Sequence, residues 1–139
     1  MQPHPTILLA LADKEDLSLV DDYLFRTFNC TPLRANDAPA LQACMQQKAV
    51  DILLIDLVFL APENSLELIG NLRRTYPETI ILPAIPEGRR DLLKKAVDLD
   101  IFYFLNKPFQ LAEISLTLRR ATGNLLPEPI SPAAQEGEA

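Results

Sequence analysis

Runs of consecutive aliphatic residues alternate with segments in which apolar residues recur every three to four positions, and this alternation limits the possible folds most strongly. A continuous apolar run is typical of a parallel strand buried on both faces, whereas the three-to-four spacing predicts an amphipathic helix. Strands that alternate with helices predict a doubly wound α/β fold, a parallel sheet with helices on both faces. We expect five strands, within residues 6–12, 30–35, 51–56, 79–85 and 101–105.

The five helices predicted between and after these strands carry start and stop signals. Asp37 precedes a proline and predicts the start of the second helix. Asn64, with Glu67 three residues later, resembles a capping box for the third helix. Gly123 follows the last periodic segment and predicts the end of the fifth helix.

Length and charge exclude several classes of function. A chain of 139 residues fits one domain, and its net charge of −6 argues against the clustered positive field that nucleic-acid binding needs. Only four glycines are present, so the sequence offers no glycine-rich phosphate loop. No apolar run approaches membrane-spanning length and no signal peptide is recognisable, so we expect a cytoplasmic protein.

The end of the chain differs in composition from the rest. Residues 123–139 hold three prolines, three glutamates and no basic residue, which is typical of a disordered tail or linker. We therefore expect one domain over residues 1–122 and a tail or linker over residues 123–139. The composition fits equally a native end and a linker to a further domain.

Three charged residues follow three of the predicted strands. Asp13 follows the first strand, Asp56 the third and Lys107 the fifth. Because the carboxyl ends of parallel strands meet at one edge of a sheet, we expect these side chains to converge. Two neighbouring carboxylates repel unless a cation lies between them, and Mg²⁺ prefers such oxygen ligands. A single aspartate at a strand end more often caps the next turn, so the hypothesis depends on all three.

These residues and their order resemble the receiver domain of two-component response regulators over residues 6–122. The matching motifs are Asp56 after a buried strand, Asp13 after the first strand, and Lys107 followed by Pro108 and Phe109. The resemblance implies a flavodoxin-like fold with strand order 2-1-3-4-5. It also implies a phosphorelay signalling role rather than that of an enzyme.

The resemblance further assigns roles within the site. Asp56 would be the phosphoryl acceptor, and Asp13, Asp56 and the backbone carbonyl of Val58 would hold Mg²⁺. Lys107 would pair with Asp56 and then with the phosphoryl oxygens. The peptide bond between Lys107 and Pro108 would be cis.

Several positions depart from the family pattern. Receivers usually end the first strand with two adjacent acids, and here the first of the pair is Ala12, followed after Asp13 by Lys14. We therefore expect a weakened affinity for Mg²⁺. At the end of the fourth strand Pro83 replaces the hydroxyl residue that binds the phosphoryl group, and Phe104 supplies a ring without a hydroxyl. These two residues predict an altered switch.

The departures leave two principal hypotheses. The first is a receiver that accepts a phosphoryl group on Asp56 from a histidine kinase or phosphotransfer protein and signals by an altered route. The second is a pseudo-receiver, a protein interaction module that works without phosphorylation. A small α/β enzyme is disfavoured because the chain has a single histidine, His4, close to its N-terminus.

Basic residues concentrate around the predicted fourth and fifth helices. Solvated helix faces are the ordinary explanation for such charges. The sharper hypothesis is a partner face formed by helix four, strand five and helix five, which would contact a kinase, an output domain or a second copy of the chain. The residues concerned are Arg89, Arg90, Lys94, Lys95, Arg119 and Arg120.

Overall fold

A computed structural model describes residues 5–123 and contains a five-stranded parallel sheet in the order β2-β1-β3-β4-β5. The doubly wound fold and the strand order are therefore confirmed. The predicted tail after Gly123, and His4, lie outside the described residues. The elements are β1 (Ile7–Ala10), α1 (Lys14–Phe28), β2 (Leu33–Arg34), α2 (Ala38–Gln47), β3 (Ile52–Asp56), α3 (Pro62–Thr75), β4 (Ile80–Ile85), α4 (Asp91–Val97), β5 (Leu105–Asn106) and α5 (Leu111–Thr122).

The sheet separates two hydrophobic clusters because successive strand residues point to opposite faces. On one face, Leu53 and Ile55 of β3 pack in the cluster that includes residues of α2, α3 and α4. On the other face, Leu54 packs in the cluster that includes residues of α1 and α5. Asp56 lies two residues after Leu54, so the alternation directs its side chain towards α1 and α5. The fold thereby selects the helices that can contact this carboxylate.

The helix boundaries confirm two predicted signals and contradict one. The side chain of Asp37 caps α2 by accepting a hydrogen bond of 2.9 Å from the backbone N–H of Ala40, and Gly123 ends α5 at φ 61°. The predicted capping box of Asn64 and Glu67 is wrong because α3 begins earlier, at Pro62, without a side-chain cap. Proline suits the first turn of a helix, where its missing N–H has no partner to lose. None of the helices within residues 5–123 combines the length and apolar character needed to cross a membrane.

The fifth strand is shorter than the predicted residues 101–105. Only Leu105 and Asn106 pair with β4, opposite Ala84 and Ile85. The preceding segment lies outside the sheet and leaves two aromatic side chains in solvent, with Phe102 64% exposed and Tyr103 44% exposed.

Pro83 gives the physical reason for the short fifth strand. The carbonyl of Ala84 accepts from Leu57 on the β3 side, and the carbonyl of Ile85 accepts from Lys107 on the β5 side. Backbone groups of successive strand residues alternate between the two neighbouring strands, so the nitrogen of Pro83 faces β5. Because proline carries no N–H, it offers no donor to the residues that precede Leu105.

Candidate signalling site

Asp56 ends β3, and its carboxylate is completely buried. Its Oδ1 accepts a hydrogen bond of 3.0 Å from the backbone N–H of Val58, and its Oδ2 accepts one of 2.7 Å from Lys107 Nζ. A buried charge is tolerated only when it is paired and hydrogen-bonded. Both carboxylate oxygens therefore have a donor, and the predicted pair of Asp56 and Lys107 is present.

Hydrogen bonds of Lys107 and of the residue before it tie this segment to β4 and to α5. Its backbone N–H donates to the carbonyl of Ile85 over 2.9 Å, and the peptide bond that follows it, to Pro108, is cis as predicted. The preceding Asn106 donates to Glu113 of α5 from its backbone N–H over 3.2 Å and from its side chain over 3.0 Å. These bonds fix the base of the lysine side chain at the carboxyl edge of the sheet.

Lys107 binds a second carboxylate that the sequence did not single out. Its Nζ lies 3.0 Å from Oδ2 of Asp16, in the first turn of α1. The side chains of Lys107 and Asp16 are 17% and 23% exposed. The ammonium thus bridges α1 and β3 across a largely buried position. Asp16 was missed because it follows the strand end by several residues, and only the first turn of α1 brings it back over the sheet.

The environment of Lys107 alters its pKa. Partial burial is the largest single effect and would lower the pKa, but the hydrogen bonds to Asp56 and Asp16, with their negative charges, outweigh it. The pKa of Lys107 is therefore raised above its ordinary value of 10.5. The lysine carries its positive charge throughout the physiological pH range.

Asp13 caps the first turn of α1. Its Oδ1 accepts hydrogen bonds from the backbone N–H groups of Glu15 at 2.7 Å and Asp16 at 3.2 Å, so it caps α1. Its side chain is exposed. Within residues 5–123, no group of three or more His, Cys, Asp or Glu side chains is arranged to hold a metal ion. The predicted Mg²⁺ site draws on two carboxylates and the backbone carbonyl of Val58, which is fewer side chains than such a group holds, so it stays a prediction.

The neighbour of Asp56 on the β1 side is apolar. Ala10, the last residue of β1, is in register with Ile55. Leu11 therefore continues the chain at the level of Asp56, and it is buried in the cluster with α1 and α5. An aliphatic side chain at this place offers no oxygen to a cation.

The neighbour of Asp56 on the β4 side also lacks a hydroxyl. The register places Ala84 beside Asp56 and Pro83 beside Ile55. Phe104 is half-buried and packs against the cluster of α2, α3 and α4. Neither Pro83 nor Ala84 has a side-chain donor for a phosphoryl oxygen, and the altered switch stays a prediction.

The predicted partner face is mixed in charge. Arg89 donates two hydrogen bonds to Asp91, over 3.0 and 2.9 Å, and these bonds lower the pKa of that exposed carboxyl. Arg90 and Lys94 are exposed at the surface of α4 and its approach. Lys95 lines a cleft between α3 and α4 whose other residues are Glu63, Leu66, Glu67, Asp98 and Leu99.

Comparison with known proteins finds relatives in sequence, one of which is a transcriptional regulatory protein. No family model matches the sequence. The chain is 32% identical over 87 residues to the transcriptional regulatory protein GlnL of Bacillus subtilis (strain 168). The match covers 62% of this chain and 27% of GlnL, so the chain spans about a quarter of the length of that relative.

Solved structures give a consistent fold. A response regulator from Thermotoga maritima superposes with a TM-score of 0.76 at 18% identity, over 86% of this chain and 98% of that one. The signal receiver domain of an HD domain-containing protein from Pseudomonas fluorescens Pf-5 gives 0.75 at 24% identity, over 86% and 94%. The chain has the fold of a response regulator receiver domain.

A third similar structure is that of a longer protein bound to a promoter. RcsB from Salmonella enterica serovar Typhimurium, bound to promoter rprA in the presence of the phosphomimetic BeF₃⁻, gives a TM-score of 0.73 at 18% identity. The superposition covers 94% of this chain and 71% of RcsB. The receiver fold therefore occurs both alone and as part of longer regulators.

Proposed function

We propose that this receiver-fold chain is a signalling module that works through protein contacts and does not depend on phosphorylation, the pseudo-receiver of the second hypothesis. One observation carries the proposal: Pro83 and Ala84, which lie beside Ile55 and Asp56 on β4, carry no hydroxyl that could bind a phosphoryl oxygen. Lys107 pairs with Asp56 under either hypothesis, so that pair does not decide between them. A partner of the proposed module would read its fixed surface.

The chemistry of phosphoryl transfer supports this choice. The acceptor oxygen must approach phosphorus in line, and positive groups must offset the charge of the transferred oxygens. The cation contacting Asp56 is Lys107, and its single charge is shared with Asp16. The hydroxyl that would complete the phosphoryl site is missing at both Pro83 and Ala84.

Phosphoryl acceptance on Asp56 is the second candidate function. It is favoured by the position of Asp56 at the carboxyl end of β3, with Lys107 Nζ at 2.7 Å. A histidine kinase or phosphotransfer protein would be the donor. Receiver domains generally use Mg²⁺, which in this chain would have to draw on Asp13, Asp56 and the Val58 carbonyl.

The partners proposed for the module are proteins. A kinase, an output domain or a second copy of the chain would dock on α4, β5 and α5. Arg90 and Lys94 are exposed at α4, and Phe102 and Tyr103 are exposed in the segment before β5. Charges of this kind chiefly set the rate and specificity of docking. The net charge of −6 argues that any contact with DNA would belong to an output domain. A cytoplasmic location and a non-enzymatic role are part of the proposal.

Treatment with a small phosphodonor tests the choice between the two functions. The chain would be incubated with acetyl phosphate and millimolar Mg²⁺, and the intact mass would be measured. We expect no phosphorylated species, as in the matched control Asp56→Asn. A phosphorylated fraction that forms in the wild type and is absent from Asp56→Asn would overturn the proposal in favour of the phosphorelay receiver.

A further inference from the structure

We propose that residues 124–126, which directly follow α5, dock in a cleft between the start of β4 and the segment that precedes β5. The proposal goes beyond the proposed function and does not rest on it, because it involves neither Asp56 nor Lys107. The occupant is a segment of the same chain that lies outside the described residues. Docking would cover the aromatic side chains of Phe102 and Tyr103, which are 64% and 44% exposed.

The cleft exists because β5 is short. β4 begins at Ile80, but its pairing with β5 begins only at Ala84, opposite Leu105. The segment of residues 101–104 therefore passes the start of β4 without pairing to it, and a cleft of about 240 Å³ lies between them. Apolar and aromatic residues form much of its wall, namely Ile80, Ile81, Ile101, Phe102 and Tyr103.

The size and the charges of the cleft favour apolar side chains of a peptide as the occupant. Small-molecule sites usually enclose roughly 300–1,000 Å³ and bury most of the ligand. This cleft is smaller and is partly open to solvent. Glu78 and Asp100 are among the lining residues, and the basic Arg73 among them already donates to the carbonyl of Pro77 over 3.2 Å. An acidic occupant would therefore be repelled, whereas an apolar one gains by leaving water.

The end of α5 lies beside this cleft. Ala121, in the last turn of α5, is one of the residues that line it. Gly123 ends the helix at φ 61°, in the left-handed region that favours glycine and turns the chain out of the helix. One residue of extended chain spans at most about 3.6 Å, so Leu125 and Leu126 can lie no more than about 14 and 18 Å from Ala121, measured between Cα atoms.

The residues that follow α5 match the apolar wall of the cleft. Two leucines, Leu125 and Leu126, come before the first acidic residue of this part of the chain, Glu128. The leucines can therefore enter the cleft while Glu128 stays clear of its acids. Burial of aliphatic side chains against exposed aromatic rings removes apolar surface from water on both sides of the contact.

Nuclear Overhauser spectra of the full chain test the proposal. We expect cross-peaks between the methyl protons of Leu125 or Leu126 and the ring protons of Phe102 or Tyr103. The spectra would also be recorded on a mixture of isotope-labelled and unlabelled chains, which separates contacts within one chain from contacts between two copies. Absence of the cross-peaks, or their appearance only between two copies, would overturn the proposal.

Substitutions in the segment give a second test by amide hydrogen exchange. The double variant Leu125→Asp, Leu126→Asp should exchange faster than the wild type at residues 101–104, because the cover of these residues is lost. The matched control Ala133→Asp, Ala134→Asp adds the same charge further along the chain and should exchange like the wild type. Equal exchange rates at residues 101–104 in the two double variants would overturn the proposal.

Discussion

At the scale of single residues, the state of Asp56 decides what the site can do. The carboxylate is completely buried, and its neighbours are the apolar Leu11, directly after β1, and Ala84 on β4. Its negative charge is therefore balanced by Lys107 and by the N–H of Val58. Removing one member of a buried ion pair is far more costly than removing an exposed charge.

Replacement of Lys107 measures how much its ion pair with Asp56 contributes to stability. We expect Lys107→Met to reduce the free energy of unfolding by about 3–5 kcal/mol, because it leaves Asp56 buried and uncompensated. The double variant Asp56→Asn, Lys107→Met should recover part of that loss. Urea unfolding gives both values, and Lys94→Met should change stability by less than about 0.5 kcal/mol. If Lys107→Met lost no more unfolding free energy than Lys94→Met, the expectation that Asp56 is left buried and unpaired would be contradicted.

The raised pKa of Lys107 predicts a loss of stability in alkali. A folded-state pKa above the ordinary value of 10.5 means that the folded chain holds this proton more tightly than the unfolded chain. The stability from Lys107 is therefore fully present below pH 10.5 and disappears as the pH rises through the raised value. The difference in unfolding free energy between wild type and Lys107→Met should shrink over that range. A difference that stays constant there would refute the assignment.

Sequence reasoning found two of the three members of this ion-paired group. Asp56 and Lys107 could be predicted because both directly follow strands whose carboxyl ends share one edge of the sheet. Asp16 could not be selected from the acids near the start of α1 by spacing alone. The resemblance to receivers implies that Asp13 is a metal ligand, which stays a prediction, and the structure adds that Asp13 caps α1.

At the scale of elements, prolines account for the boundaries that the sequence predicted wrongly. Pro62 begins α3 two residues before the predicted cap Asn64, and Pro83 removes the donor that would extend β5. The predicted cap of α2 at Asp37 and the predicted end of α5 at Gly123 are both confirmed. The apolar run at residues 101–105 correctly predicted that a fifth strand exists. Its length could not be predicted, because composition does not show that the nitrogen of Pro83, which carries no hydrogen, faces β5.

Restoring the N–H of residue 83 should lengthen β5. Pro83→Val supplies a donor towards the segment that precedes Leu105, and one such hydrogen bond contributes roughly 0.5–1.5 kcal/mol. We expect slower amide hydrogen exchange at residue 83 and at residue 105. The control Pro86→Val, in the loop after β4, should leave both rates unchanged. Equal exchange rates in Pro83→Val and wild type would contradict the role given to proline.

The capping role of Asp13 predicts a modest and local effect. Asp13→Ala should lower the free energy of unfolding by about 1 kcal/mol through loss of the N-cap. Asp37→Ala removes the equivalent cap of α2 and is the matched control, with a loss of similar size. Amide spectra should show changes in the first turn of α1 and little change at Asp56. A large shift at Asp56, seen only with Mg²⁺ present, would instead support a metal ligand.

At the scale of the whole molecule, the fold follows from the alternation of buried runs and amphipathic segments. Helices cover both faces of a sheet whose central strands are buried, and the two hydrophobic clusters lie on either side of it. The alternation predicts the class of fold, while the strand order came from the resemblance to receivers. The site depends on this global arrangement, since Lys107 and Asp56 are 51 residues apart in the chain.

The same arrangement ties together the elements around the site, as the proposed pseudo-receiver would need. The Asp16–Lys107–Asp56 ion pairs join α1, β3 and the end of β5, while Asn106 joins β5 to α5. A partner that binds the surface of α4, β5 and α5 would therefore meet a pre-formed face. Preorganised surfaces lose less conformational entropy on binding.

Amide NMR spectra recorded with Mg²⁺ and then with Mg²⁺ plus beryllofluoride test the central claim most directly, because the chain has no tryptophan to report on the site by fluorescence. Asp56→Asn is the control. A pseudo-receiver held by Lys107 predicts the same spectrum before and after beryllofluoride, in the wild type as in the variant. Shifts centred on Asp56 and Lys107 that are absent from Asp56→Asn would contradict the account and establish a working phosphoryl acceptor.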